Sequence, residues 1–333
     1  MRPTFSIICF TVLSGIGYGA WFLIGIGVAI GLVCGPRSAP DSSGITLAWC
    51  QAPFASLSGL LVAFLFVAAG LLCSLGHLGK PQRAWRALSQ WRSSWLSREG
   101  VAAIATFVPG AILVACWLPQ WFGAEATTDD SPTFRLLGIA LSVGAALTVL
   151  CTANIYASLK PVRAWRDRHV VPVYLLLALL GGCLVLLAAG ATWSLDRWIL
   201  LSGVITLSIA GAWLKHRYWR AIDALPAPDA GYATGLSALG EVRSFEAPHT
   251  EENYLTHEMG FVLARKHSRK LRRIALMFAF LVPGVLALSA LVVPAIGMPA
   301  AWLALASGVT GLFIERWLFF AEAKHAVMAY YAR

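Results

Sequence analysis

Clustered metal ligands are missing from this sequence. Its seven cysteines contain no Cys-x-x-Cys pair or other grouping, which excludes an encoded zinc or iron–sulfur site. Charge is scarce as well: 13% of residues are charged and 58% are hydrophobic, well beyond the ~45–50% apolar usage of soluble domains. Acidic residues are scarcest, 16 against 26 basic ones, for a net charge of +10. In a soluble chain that balance would suggest nucleic acid. In a chain with a mean hydropathy of +0.71 it reports cytoplasmic loops instead, and no nucleic-acid partner is expected. No two histidines fall mid-span on facing segments, so the axial ligands of a membrane-crossing haem relay are lacking and no haem is expected.

What the chain has is long apolar runs. A bilayer core takes roughly 20 apolar residues per helix, and candidate spans fall near 5–34, 52–78, 100–121, 135–158, 171–194, 198–214, 274–297 and 299–323. The reading is an all-α integral membrane protein, one bundle of about eight transmembrane helices over 1–333, with a long loop at 215–273. The first run is too long for the ~7–15-residue core of a cleavable signal. The last two runs are separated only by "GMPA", and Pro109 sits inside the third, where neighbouring helices can compensate it. Most Trp residues stand near run ends, as interfacial aromatics do; Trp21 and Trp317 are expected deeper. Five cysteines lie within apolar runs and read as small core residues. Cys34 and Cys50 flank the first loop and could pair on an oxidising side.

The basic residues set an orientation. Lys80, Arg83, Arg86, Arg92 and Arg98 follow the second run; Lys160, Arg163, Arg166 and Arg168 follow the fourth. The loop after the sixth, from Lys215 to Arg273, carries ten more. With Arg2, Lys324 and Arg333, this end holds 22 of the 26 basic residues, and the other holds Arg37, Arg135 and Arg197 beside the acidic Glu125, Asp129 and Asp130. The positive-inside rule puts both termini in the cytoplasm and, for a bacterial chain, the protein in the inner membrane.

One cytoplasmic edge concentrates chemistry. After the second run comes "HLGKPQRAWRALSQWRSSWLSREG", from His77. Residues 82–96 read as a short interfacial helix with Trp85, Leu88 and Trp95 on one face and Arg83, Arg86 and Arg92 around it; Glu99 opens the third helix. An apolar mouth with a His, a carboxylate and guanidinium groups suits a lipid-soluble quinone, whose carbonyls need donors and whose two-electron turnover needs groups that move protons. Taken singly, His77 and Glu99 equally suit the dipoles of helix ends.

Three further features stay open at this level. "KPQRAWR" at 80–86 recurs as "KPVRAWR" at 160–166, either a relic of duplication or a convergent helix stop. The long loop pairs a Gly/Ala/Pro-rich part, Ala224–Gly240, with a basic amphipathic part; it serves as a docking platform for a soluble partner or as an anionic-lipid surface. Glu315 and Arg316 fall inside the last run, where charges must pair or face the bundle interior; they form a structural pair or join the quinone-facing cavity.

On "FTVLSGIGYG", "HLGKPQRAW…SWLSREG", "NIYASLKP" from Asn154 and the polar patch "FIERWLFFAEAKH", the chain resembles the membrane-anchor subunits of dimethyl sulfoxide reductase-type molybdoenzymes. The resemblance implies a complex with a molybdopterin catalytic subunit and a four-cluster iron–sulfur subunit, in which the anchor exchanges electrons with quinone. Molybdopterin and iron–sulfur clusters then belong to the partners, and ubiquinone or menaquinone to this chain. It maps the quinone site to His77 and Glu99; Arg83 and Arg86 stand beside them at the same edge, and Tyr156, Glu315 and Arg316 are expected as pocket or structural residues. Partner docking is expected at Lys160, Arg163, Arg166, Tyr254, Arg265 and Lys266. The loop "APHTEENYLTHEMGFVLARKH" is most like the anchors of cytoplasmic sulfite dehydrogenase complexes, so sulfite oxidation is the leading expectation. An anchor for a dimethyl sulfoxide or related S- or N-oxide reductase oxidising menaquinol is the alternative. A secondary transporter is a third, less favoured because the ionisable residues crowd one edge and not the midplane.

Overall fold

The computed structural model describes residues 4–31, 53–76, 78–122, 132–190, 195–226, 229–243, 245–246 and 267–331. In lipid every backbone N–H and C=O must be satisfied within the chain, and the apolar runs accordingly become helices: α1 (Phe5–Ala29), α2 (Pro53–Leu75), α3 (Trp95–Trp121), α4 (Pro132–Ala157), α5 (Val170–Ala188), α6 (Leu195–Asp223), α7 (Ser268–Val292) and α8 (Gly297–Ala321). All eight are long and apolar enough to span a bilayer. Among the described residues there is no β-strand, only an isolated bridge between Val162 and His325.

The first helix is the axis of the bundle, packed on α2, α4 and α5. Small residues allow the approach, as is usual where two helices meet in lipid. A Cβ on Gly19 would lie 1.8 Å from the Ala178 carbonyl oxygen, and one on Gly182 would lie 2.4 Å from the Gly19 carbonyl carbon. The outer helices follow: α3 covers α4, α6 and α8 pack on α5, and α7 packs on α6 and α8. Leu65, Ile104, Ile209 and Leu303 are exposed and form part of the apolar outer surface. Trp21 is buried at 1% exposure and donates its indole N–H to the Leu60 carbonyl at 3.3 Å. Of the cysteines, Cys9, Cys151 and Cys183 are buried, but Cys116 is exposed on the outer face of α3. Cys34 and Cys50 lie outside the described residues.

Several helix ends differ from the sequence reading. Helix α6 runs on to Asp223, nine residues past the end of its apolar run, because its amphipathic last turns pack on the bundle. Helix α7 starts at Ser268, before its apolar stretch, and widens into a π-segment at Met277–Leu281. Pro283 stands just after that segment and has no N–H to continue a regular ladder, and Ser307 of α8 donates to the Phe278 carbonyl at 2.9 Å. The break between α7 and α8 falls at Val293–Ile296 instead of at "GMPA", whose Pro299 sits in the first turn of α8, where its missing N–H costs nothing. The segment after α2 is a 3₁₀ helix, Pro81–Gln90, and Arg98 fastens its exit by donating to the carbonyls of Trp91 at 3.1 Å and Arg92 at 2.6 Å.

Helix direction alternates along the chain, so the start of α1, the 3₁₀ segment, the α4–α5 link, the end of α6 and residues 322–331 all gather at one end. This is the basic end of the molecule. The repeated heptapeptide takes two different forms there. Trp85 of the first copy is 66% exposed, whereas Trp165 of the second is 4% exposed and donates to the Phe319 carbonyl at 3.0 Å.

Candidate functional site

Glu99 lies one turn inside α3, which begins at Trp95, so about 6 Å of helix separates it from the basic end. Its carboxyl is buried at 6% exposure and meets the hydroxyl of Thr152, one turn or so inside the same end of α4. That hydroxyl also reaches the Thr148 carbonyl at 3.0 Å. It therefore has one proton and two acceptors in reach, and the pair can pass a proton either way: Glu99 as an acid donating to the Thr152 oxygen, or as a carboxylate accepting from it. On the outer surface beside Glu99, Leu96, Val101 and Ile104 are exposed and apolar.

Across the bundle stands a second buried polar group. Arg316 of α8 donates from Nε at 2.5 Å and Nη2 at 2.8 Å to the Glu315 carboxylate, and Lys215 of α6 places its Nζ 2.6 Å from the same carboxylate. All three are at or below 3% exposure. Aromatic faces line the cations: Arg316 lies 4.1 Å from the Tyr174 ring centroid, and Lys215 lies 4.3 Å and 4.7 Å from those of Tyr218 and Trp219, an arrangement that partly replaces the water lost on burial. Between the two groups is a cavity of about 30 Å³ bounded by Thr11, Ser14, Tyr18, Thr152, Tyr174 and Arg316.

Nearer the surface, Arg272 joins three elements. It donates from Nη1 and Nη2 to Asp223 at 2.6 and 2.8 Å, and from Nε to Glu322 at 2.8 Å. Burial, opposed by Arg272, holds the Glu322 carboxyl above its usual range. Arg272 and Glu322 face a second cavity of about 240 Å³, shared with Arg163 and Lys324.

Known proteins resemble this chain in sequence. A family model described as "DMSO reductase anchor subunit (DmsC)" matches residues 55–321. The chain belongs to the DMSO reductase anchor subunit family. It is also 29% identical, over 352 aligned positions and 99% of both chains, to a sulfite dehydrogenase subunit of Allochromatium vinosum. The family match takes in Glu99, Thr152, Lys215, Glu315 and Arg316 but stops short of α1; the sulfite dehydrogenase relative covers both.

In this anchor subunit the expected site residues are distributed unevenly. Glu99 is at the polar centre of the basic end, while His77 lies outside the described residues. Arg83 and Arg86 are exposed on the 3₁₀ segment, Arg86 lying 5.6 Å from the centroid of the equally exposed Trp85. Leu88 turns inward, close to Gly100. Tyr156 is the hub of an aromatic cluster, within 6 Å, centroid to centroid, of Trp165, Tyr174, Phe319 and Phe320. Glu315 pairs with both Arg316 and Lys215, and Arg316 also reaches the cavity. Lys160 and Arg166 are exposed on the basic end, and half-buried Arg163 donates to the Pro226 carbonyl at 3.3 Å. Tyr254, Arg265 and Lys266 lie outside the described residues.

Lys215 is the residue the sequence reading misplaced. Counted there as a loop cation, it is in fact buried within α6, and the positive-inside tally loses one member without changing sense. A signal was present: Tyr218 and Trp219 follow it at i+3 and i+4, the spacing that puts aromatic faces beside it on a helix. Thr152 and Tyr18 had no such signal, since a hydroxyl in an apolar run commonly bonds its own backbone.

Proposed function

We propose that this anchor subunit binds quinone at its basic end and passes electrons between a partner iron–sulfur subunit and the membrane quinone pool, while a molybdopterin subunit oxidises sulfite to sulfate. The observation that carries the reading is Glu99, a buried carboxyl with a hydroxyl partner, one helical turn below a strongly basic surface and next to an apolar outer face. The cavity of about 30 Å³ beside Thr152 has room for water and none for an aromatic ring, far below the ~300 Å³ of an ordinary ligand pocket. A ring would therefore meet Glu99 from the bilayer side. The donor set suits a quinone: His77 and Glu99 would serve its oxygens, with Arg83 and Arg86 near the headgroups. When bound, a quinone supplies an acceptor for two electrons and two protons, the two electrons that oxidation of sulfite by water to sulfate releases. Glu99 holds the proton to be delivered, Thr152 orients it, and the apolar side chains around them exclude bulk water.

Orientation and partners belong to the same proposal. Both termini and the basic end lie in the cytoplasm of a bacterium whose inner membrane holds the protein, by the positive-inside rule. The iron–sulfur subunit docks there on Lys160, Arg163 and Arg166, with the 244–266 stretch contributing Tyr254, Arg265 and Lys266. Sulfite is favoured by the full-length likeness to a sulfite dehydrogenase subunit. The family's own description favours a second reading, an anchor that oxidises menaquinol for an S- or N-oxide reductase. Membership of an anchor family sets the transporter reading aside.

The test is the complex purified through a tag on this chain. It should contain molybdenum and iron and reduce a soluble quinone when given sulfite. Glu99→Gln should lower that turnover by at least ~100-fold, the usual weight of a positioned proton donor. Turnover with dimethyl sulfoxide but not sulfite would select the second reading. Unchanged quinone turnover in an assembled Glu99→Gln complex would remove the site.

A further inference from the structure

The buried polar groups of the basic end form a single series from α3 to α6, interrupted once. Glu99 meets Thr152; Arg316 binds Glu315, and Glu315 binds Lys215. The interruption is the cavity of about 30 Å³, which Thr152 and Arg316 both line. Three atoms of residues lining this cavity, Tyr18 Oη, Tyr174 Oη and Arg316 Nη1, are buried and make no hydrogen bond among the described residues. Tyr18 itself is 2% exposed. Leaving such donors unsatisfied in an apolar interior is as costly as losing a hydrogen bond outright. A water molecule needs about 10–15 Å³ of such space and two to four polar partners. The cavity provides the space, and Tyr18, Arg316 and the Thr152, Thr11 and Ser14 oxygens provide the partners.

We infer that this cavity is a water site, held in place by the Arg316–Glu315–Lys215 cluster, and that its water, joined to Glu99 through Thr152, exchanges the Glu99 proton inside the bundle instead of on the lipid side. The inference rests on the role of Glu99 proposed above. Each element of the series has a definite part. Thr152 and the water carry the proton by exchanging hydrogen-bond partners. Arg316, held by Glu315 at two of its nitrogens, stays charged and fixes the water's orientation through the third. Tyr18 gives the water a donor and acceptor from α1. Lys215, 2.6 Å from the Glu315 carboxylate, holds that carboxylate from α6 and so keeps Arg316 in place.

Gly15 makes the idea testable. It lines the cavity, and a Cβ built on it meets nothing within 4 Å, so side chains can enter the space from a helix that does not have to move. Gly15→Val and Gly15→Thr fill equal volume, but only threonine puts a hydroxyl where the water would be. In the purified complex, Gly15→Val should lower kcat for quinone reduction by about tenfold, the weight of one lost hydrogen-bonded link, with KM unchanged. Gly15→Thr should stay closer to wild type, and Thr152→Val should match Gly15→Val if the glycine variants fail to assemble. Equal turnover in the valine and threonine variants, or wild-type turnover in Thr152→Val, overturns the relay. A density map of the wild-type complex that resolves buried waters provides a readout independent of turnover. It should show one within hydrogen-bonding distance of Tyr18 Oη and Arg316 Nη1, and an empty cavity in such a map overturns the water site. A wild-type complex with no quinone turnover at all would sink the proposed function while leaving this map test standing.

Discussion

Glu315 and Lys215 should differ sharply in what their removal leaves behind. One carboxylate serves two cations, with Lys215 Nζ at 2.6 Å and Arg316 Nε and Nη2 at 2.5 and 2.8 Å. At an effective dielectric of about 20, a contact at this separation attracts by about 6 kcal/mol before desolvation is counted. Glu315→Gln conserves shape but leaves two buried cations facing each other without an anion. Breaking a buried ion pair from one side costs about 3–5 kcal/mol. Lys215→Met removes the second cation from a carboxylate that keeps its two-pronged bond to Arg316, and it retains an unbranched chain over Tyr218 and Trp219. The expected cost is about 0–2 kcal/mol, mostly the cation–π contact. Thermal melting of the detergent-solubilised protein reads the contrast: at ~2–4 °C per kcal/mol, Glu315→Gln should melt about 10 °C lower and Lys215→Met within a few degrees of wild type. If Lys215→Met melts as low as Glu315→Gln, the carboxylate is not the keystone of the cluster and the reasoning fails.

Other outcomes follow from packing and titration. Gly19→Ala drives a Cβ to 1.8 Å from the Ala178 carbonyl oxygen and should destabilise by about 1–3 kcal/mol, whereas Gly15→Ala meets open space and should gain up to ~1 kcal/mol in helix propensity; equal melting points for the two would discredit the α1–α5 crossing. Trp165→Phe should cost about 1–3 kcal/mol by orphaning the Phe319 carbonyl, while Trp85→Phe, at a 66% exposed position, should stay within ~0.5 kcal/mol; loss of stability at Trp85 would show that the two heptapeptide copies are equivalent after all. Glu322 has its folded-state proton affinity raised by burial, so its contribution is complete below the unfolded carboxylate pKa and is lost as pH rises through the higher folded value. The melting difference between Glu322→Gln and wild type should accordingly move in favour of the Gln variant as pH rises through that window, and a pH-independent difference would contradict the burial argument.

The features legible in the sequence share one property: the bilayer imposes them locally. The eight helices follow from run length, and the crowding of basic residues at one end follows from alternation. Glu99 was legible as a candidate only because it shares one edge with His77 and several arginines; alone it suits the dipole of a helix start equally well. Lys215 was misread for a related reason. Hydropathy ends α6 near residue 214, but the helix continues to Asp223 because tertiary contacts cover its last turns. The heptapeptide echo shows the limit most clearly. Near-identical residues put Trp85 outside and Trp165 inside, since only the second copy has the end of α8 packed over it.

By itself, then, the sequence determined the class of molecule, the count of spans, the basic end and Glu99 as a candidate at that edge, because a lipid solvent penalises each misplaced charge or unpaired backbone group wherever it falls. Only the tertiary structure decided that Glu99 has Thr152 as its partner, that Glu315 holds Lys215 from another helix as well as Arg316 from its own, and that Tyr18 opens onto the space between them. The relations between helices join residues 53 to 298 positions apart on five helices, and their cause is the close packing of those helices, which no local pattern encodes.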